Sequence, residues 1–286
     1  MNTVDSLPWM INGDYQLSLS VTDRGFHYGD GLFETLRVNN QVVVNYAEHL
    51  LRLDSGLKTL NIPAPLHMIE SHLAKYLRDN ALPALSRLKI IVSRGGPAAG
   101  YVSEPSMQAT IAIGAAPYKD IDDSKRQGGI TLRFCTMRLS SNSVLAGIKH
   151  LNRLEQVLAR SEWQDDSIFE GLMFDADDSI VEGTMSNLFL VENSVLKTPK
   201  LDNCGVRGVM RGVIIDCIAP ELGLRVEELT LSRDNLRLAD EVFISNSLIG
   251  AVPVRQCEEF SWSPGPVCSR IQNAIAHREY SAVHYQ

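Results

Sequence analysis

Short polar turns cut the apolar runs of this chain again and again, and that pattern most restricts how it can fold. Asn12-Gly13 lies inside the strand-like stretch 9–20, and Asn39-Asn40 lies between 32–38 and 41–45. Asp177-Asp178 separates 171–175 from 179–181, and Glu192-Asn193-Ser194 separates 187–191 from 195–198. Turns this short return a strand antiparallel to its neighbour, because a parallel crossover needs a dozen residues or more. Further apolar runs at 87–93, 108–115, 130–137, 225–231 and 241–245 read as strands. Helical spacing runs over 46–60, where Leu50, Leu53, Leu57 and Leu60 share a face. It is also expected at 66–80, 151–163, 209–219 and 268–277. The elements do not alternate β-α-β, so a doubly wound sheet is disfavoured and a mixed α/β fold is expected.

Residues 117–129 hold Lys119, Asp120, Asp122, Asp123, Lys125 and Arg126 with little to bury. They are expected to link a small N-terminal α/β domain, 1–116, to a larger one, 130–286. The chain's 286 residues suffice for two such cores. The net charge is −7 and the pI about 5.5, which argues against a nucleic-acid partner. The stretch from Met1 to Leu7 has no signal-peptide character, and no apolar run is long enough for a membrane span. The five cysteines are odd in number and form no Cys-x-x-Cys pair. Neither a disulfide framework nor a metal site is expected, and a cytoplasmic setting fits. No Gly-x-Gly-x-x-Gly, P-loop or internal repeat occurs.

The chemistry-bearing residues are spread along the chain. Gly147 presents Lys149 just ahead of the expected 151–163 helix, with His150 and Arg153 close by. An amine forms a Schiff base only when part of it is neutral, and nearby cations or desolvation provide that. On its own Lys149 also suits a solvated lysine, although its charge would oppose the helix dipole. Glu182 follows Ile180-Val181 and precedes Gly183, so a carboxylate at a strand end could meet a ligand nitrogen. Thr184, Ser186 and Asn187 add short polar groups beside it. Gly205-Val206-Arg207-Gly208 opens a helix whose first amides, those of Val209 and Met210, could hold an anion. Ser245-Asn246-Ser247 ends an apolar strand, and Arg52 on the 46–60 helix could supply a bidentate charge. Asp23 to Thr35 is dense in glycines, aromatic and polar residues, and Arg94 heads a glycine-rich loop, 94–100.

Taken in order, these segments resemble the fold-type IV pyridoxal phosphate enzymes, the branched-chain and D-amino-acid aminotransferase superfamily. The likeness runs from Ile11-Asn12-Gly13 to Pro253-Val254. It passes through Asp23-Arg24-Gly25, Gly29-Asp30-Gly31, His49 and Arg52, Lys149, Glu182-Gly183, Asn187-Leu188-Phe189, Gly208-Val209-Met210-Arg211 and Phe243-Ile244-Ser245-Asn246-Ser247. The resemblance implies two α/β domains with pyridoxal 5′-phosphate between them, and a homodimer. It implies Lys149 as the Schiff-base residue and Glu182 as the partner of the pyridine nitrogen. Arg52, the amides of Val209 and Met210, and Ser247 would hold the phosphate. Arg94 and Asn246 would face substrate, with His27 and Tyr28 near it. Gly147 to Leu158 and Asn246 to Val254 are similar to superfamily members that split 4-amino-4-deoxychorismate into 4-aminobenzoate and pyruvate. A D-amino-acid or branched-chain aminotransferase is the alternative on the same cofactor. Those lyases carry a threonine between the positions of Arg24 and Gly29 where this chain has Phe26. Any proton-handling role of that threonine would be lost here or pass to His27 or Tyr28.

Overall fold

The computed structural model describes residues 7–97, 100–104 and 106–281, with side chains to 278. The reading of the N-terminal stretch falls almost wholly outside the described residues, as do Ala98 and Ala99 of the glycine-rich loop. The chain divides into two compact units: residues up to Asp120 with Ile148–Asn152, and Ile121–Gly147 with Arg153–Ser281. The boundary after Asp120 falls within the polar stretch 117–129. That stretch is not bare linker, since Asp123–Gly128 forms a short helix, α4. Arg126 on it donates to the Ile249 carbonyl.

The first unit is a six-stranded antiparallel sheet in the order β2-β1-β6-β5-β3-β4. Its strands are β1 (Met10–Ile11), β2 (Asp14–Tyr15), β3 (Gly31–Asn39), β4 (Val42–Val43), β5 (Leu85–Ser93) and β6 (Thr110–Pro117). Asn40 and Gln41 both take positive φ, 47° and 67°, so the β3–β4 turn sits one residue beyond Asn39-Asn40. Alternate residues of β3, Leu32, Glu34, Leu36 and Val38, are buried. Leu32, Leu36 and Val38 share one core with Leu53 and Leu57 of α2 (Tyr46–Leu60) and Ile69, Leu73 and Tyr76 of α3 (Leu66–Asp79). Each fully buried leucine or isoleucine there contributes about 1.5–3 kcal/mol by leaving water. Arg24–Tyr28 forms α1 within the glycine-rich segment 23–35, capped by Asp23 Oδ1, which accepts from Gly25 N.

The second unit is a nine-stranded mixed sheet in the order β12-β11-β10-β13-β14-β7-β8-β9, with β15 (Phe260–Ser261) pairing with β14. The strands are β7 (Ile130–Leu139), β8 (Ile168–Asp175), β9 (Ile180–Gly183), β10 (Asn187–Glu192), β11 (Val195–Pro199), β12 (Arg225–Leu229), β13 (Glu241–Asn246) and β14 (Gly250–Cys257). Leu188 and Phe189 are both wholly buried although they point to opposite faces, so β10 is covered on both sides. Phe189 stacks on Phe243, and with Ile214, Ile218 and Ile271 they form the core under helix 209–221 and helix α9 (Pro266–Ser281). Leu188 joins Leu132, Phe174 and Val254 in the other core. Residues 209–221 comprise α6 (Val209–Val213), a π-helical turn Ile214–Ile218 and α7 (Ala219–Glu221). Strand β14 carries no strand signal in the sequence, because Pro253 lacks an amide to donate. The helix expected at 151–163 is only α5, Leu154–Arg160.

Candidate active site

Lys149 does not stand at a helix start. The segment Ile148–Asn152 lies along β3: Phe33 N donates to Lys149 O (3.1 Å) and Leu151 N donates to Gly31 O (2.9 Å). Leu32 and His150 form an antiparallel bridge. These two backbone bonds fix the lysine's backbone to a long strand. Its Nζ sits 4.4 Å from the centroid of the Phe33 ring, and Lys89 Nζ lies 5.1 Å from the same centroid. The ring's π face favours the cation.

Beside Phe33, on the other face of β3, Glu34 holds both His49 and Arg52. His49 Nδ1 is 2.7 Å from Glu34 Oε2, and Arg52 Nε donates to Glu34 Oε1 at 2.7 Å. Arg52 Nη2 also donates to Glu34 Oε2. Burial opposes ionisation of Glu34, but the Arg52 charge and the His49 bond outweigh it and bring its carboxyl down to about 2. Burial pushes the His49 imidazole below its ordinary value despite Glu34, and the Arg52 and Lys149 charges add to that. His49 Nε2 is buried and makes no hydrogen bond among the described residues. Arg52 is thus a guanidinium held in one orientation by a buried carboxylate.

Arg94 departs from its expected role. Its Nε and Nη2 donate to the two oxygens of Asp30 (2.8 and 3.1 Å), Nη2 also to Leu60 O (2.7 Å) and Nη1 to Asn61 O (2.6 Å). The fork that would grip a substrate carboxylate is spent on Asp30 and the C-terminal end of α2. Asp30 also takes Arg24 Nε at 2.8 Å. Burial opposes its charge, but bonds from Arg94 and Arg24 hold the carboxyl below its usual range. Arg24 reaches on to the carbonyls of Gly100, Tyr101 and Val102 and lies over the Tyr28 ring. His27 is exposed and Tyr28 half-buried at the end of α1, with Phe26 71% exposed beside them.

In the second unit Glu182 closes β9 and is buried, and its Oε2 accepts from Val206 N at 2.8 Å. Gly205, at φ +83°, makes the turn that brings Val206 there. Asn187 at the start of β10 grips the same turn: its Nδ2 donates to Val206 O (2.9 Å) and its Oδ1 accepts from Gly208 N (3.1 Å). Gly208 is the N-cap of α6, and as a glycine it has no side chain to cap the amides of Val209 and Met210. Asn246 makes an Asx turn, its Oδ1 accepting from Leu248 N and Ile249 N (2.9 and 3.0 Å), while Nδ2 donates to Met185 O. Ser247 is half-buried in that turn, and the wholly buried Ser245 Oγ has no hydrogen bond among the described residues. Thr184 and Ser186 do not offer their hydroxyls outward: both donate to Glu170. Sequence reading singled out neither Glu170 nor Glu34. For Glu170 the signal was present, since it is an acidic residue in the mostly apolar run Ile168–Phe174.

Each unit by itself holds donors of the kinds a phosphorylated pyridine aldehyde needs. The first has an amine pinned by its backbone and an arginine fork oriented by a carboxylate. The second has a buried carboxylate backed by an amide and a buried serine hydroxyl with no hydrogen bond among the described residues. These elements define an enzyme of fold type IV, whose cofactor is pyridoxal 5′-phosphate. Residues 31–257 match the amino-transferase class IV family, and the chain belongs to it. Aminodeoxychorismate lyase of Vibrio harveyi is 32% identical over 246 residues, covering 85% of this chain and 89% of that protein. The branched-chain-amino-acid aminotransferase of Escherichia coli K12 is 31% identical over 272 residues, 89% of this chain and 86% of that one. The crystal structure of 4-amino-4-deoxychorismate lyase from Pseudomonas aeruginosa superposes with a TM-score of 0.90 at 37% identity. It covers 94% of this chain and 98% of that one.

Proposed function

We propose that this chain is a pyridoxal phosphate-dependent carbon–oxygen lyase that converts 4-amino-4-deoxychorismate to 4-aminobenzoate and pyruvate, a step toward folate. The likeness to the Pseudomonas lyase over nearly the full length of both chains carries the reading. The residues assigned to the cofactor are Lys149 as covalent anchor, Arg52, the Val209 and Met210 amides and Ser247 for its phosphate, and Glu182 for its ring nitrogen. When bound, the cofactor supplies an electron sink. Glu182 would keep a proton on the ring nitrogen, because a buried carboxylate favours a neighbouring cation. Lys149 Nζ would take the proton from the substrate carbon that carries the amine. The bond from the ring to the enolpyruvyl oxygen breaks, the ring becomes aromatic, and Lys149 returns a proton to the enolpyruvyl methylene carbon to give pyruvate. Asn246 faces substrate; Arg94 is left out of the substrate set because its fork is spent.

The aminotransferases of the same fold supply the competing reading. Purified holoenzyme given D-alanine or leucine with 2-oxoglutarate separates the two. The lyase reading expects glutamate formation far slower than 4-aminobenzoate formation; brisk transamination without lyase turnover overturns it. The enzyme acts in the cytoplasm as a homodimer. Leu17, Val21, Leu154 and Val157 offer exposed apolar surface for a second copy. Light scattering is expected to return twice the chain mass of 31.7 kDa, and a monomer at micromolar concentration contradicts the dimer.

A further inference from the structure

Glu170 is a carboxylate with no solvent exposure, set in β8 among Phe169, Gly171, Leu172 and Met173. Its Oε1 accepts from Gly171 N (3.0 Å), Thr184 N (3.1 Å) and Thr184 Oγ (2.5 Å). Its Oε2 accepts from Met185 N and Ser186 Oγ, both at 3.1 Å. A carboxylate has about four lone-pair sites, so these donors saturate it. All but one belong to the turn Thr184-Met185-Ser186, which joins the end of β9 to the start of β10. The turn closes only over glycine: a Cβ on Gly183 would lie 3.0 Å from Glu170 Cγ and 2.3 Å from Ser186 Oγ.

Two functional residues depend on that turn. Glu182 precedes Gly183, whose amide donates to Ser186 O at 2.7 Å. Asn246 Nδ2 donates to Met185 O at 3.2 Å. A fully buried carboxyl is an expensive way to hold a turn: burial pushes Glu170 above its ordinary range, and the donors around it work against that. What it adds over apolar packing is direction: each oxygen admits donors only along its lone pairs. We infer that Glu170 is a positioning residue that, through the 184–186 turn, sets where Glu182 and Asn246 stand for cofactor and substrate. The inference rests on the assignment of Glu182 to the cofactor and not on the identity of the substrate.

The test compares wild-type holoenzyme with Glu170→Gln, Thr184→Val and Thr184→Ser at a temperature where circular dichroism shows all four folded. Thr184→Val removes one hydroxyl donor and keeps the shape, so it carries the test if Glu170→Gln does not fold. The cofactor's visible absorbance is titrated against pH, and kcat and KM are measured separately. Glu170→Gln and Thr184→Val are expected to move the midpoint of the absorbance titration by at least about half a pH unit. They are expected to lower kcat about tenfold with KM nearly unchanged, as a small misplacement of reacting groups does. Thr184→Ser restores both. Variants that lose thermal stability but keep the wild-type titration and kcat overturn the inference. The absorbance titration needs no substrate, so it judges Glu170 even if wild-type protein makes no 4-aminobenzoate.

Discussion

At the scale of the residue, a side chain's partners decide its role more than its type does. Lys149, Arg52 and Glu182 are assigned to the cofactor because their order and neighbours repeat a family pattern, and that assignment is a proposal. Arg94 shows what a sequence leaves out: an arginine on a glycine-rich loop invites an anion, and nothing nearby in sequence reveals Asp30 and the end of α2 as its partners. Glu34 was invisible because a strand pattern counts it as one polar position, whereas the fold buries it against His49 and Arg52. Arg94→Gln is accordingly expected to cost about 2–3 kcal/mol in urea unfolding, the range for hydrogen bonds to a charged partner left unsatisfied. Its KM should stay within about twofold of wild type. A KM rise of tenfold with unchanged stability would return Arg94 to the substrate.

Elements show where sequence reading holds and where it slips. The 46–60 helix was legible to the residue, because its leucines recur at helical spacing and the flanking chain changes character. The helix after Lys149 was overextended, since 151–152 goes with β3 by pairing that no local propensity encodes. Strand β14 escaped notice because Pro253 reads as a breaker, yet it pairs with Phe243 in the middle of the sheet. The turn before α6 is an element built by two side chains, Glu182 and Asn187. A Cβ on Gly208 would lie 2.0 Å from Asn187 Oδ1, although the backbone there, φ −61°, accepts any residue. Gly208→Ala is therefore expected to push Asn187 off the turn and cost about 1–3 kcal/mol. Weaker cofactor retention on gel filtration should accompany the lower melting temperature. An alanine variant with wild-type melting and retention would show that the turn does not need that clamp.

For the whole molecule, mixed α/β architecture followed from hairpin turns interspersed with helices, while the nine-stranded order and the placement of 148–152 with the first unit required long-range pairing. One buried cluster ties stability to acid pH. Glu34 ionises at about 2 rather than at its ordinary 4.5, and His49 is also held below its ordinary value. A depressed value, in acid or base, means that the unfolded chain binds more protons, so stability rises with pH. The Glu34 contribution, on the order of 3 kcal/mol, is present above about pH 5 and is lost as pH falls toward 2. Urea unfolding across that window is expected to show the decline, and Glu34→Gln should flatten most of it; an unchanged slope in the variant contradicts the assignment. The most direct measurement is the formation of 4-aminobenzoate and pyruvate from 4-amino-4-deoxychorismate by wild-type and Lys149→Ala holoenzyme. The prediction is equal amounts of both products from wild type and a loss of about 10²–10⁴ in rate for the variant, the range for a missing general acid–base. No 4-aminobenzoate from wild type, or a variant that turns over at the wild-type rate, would contradict it.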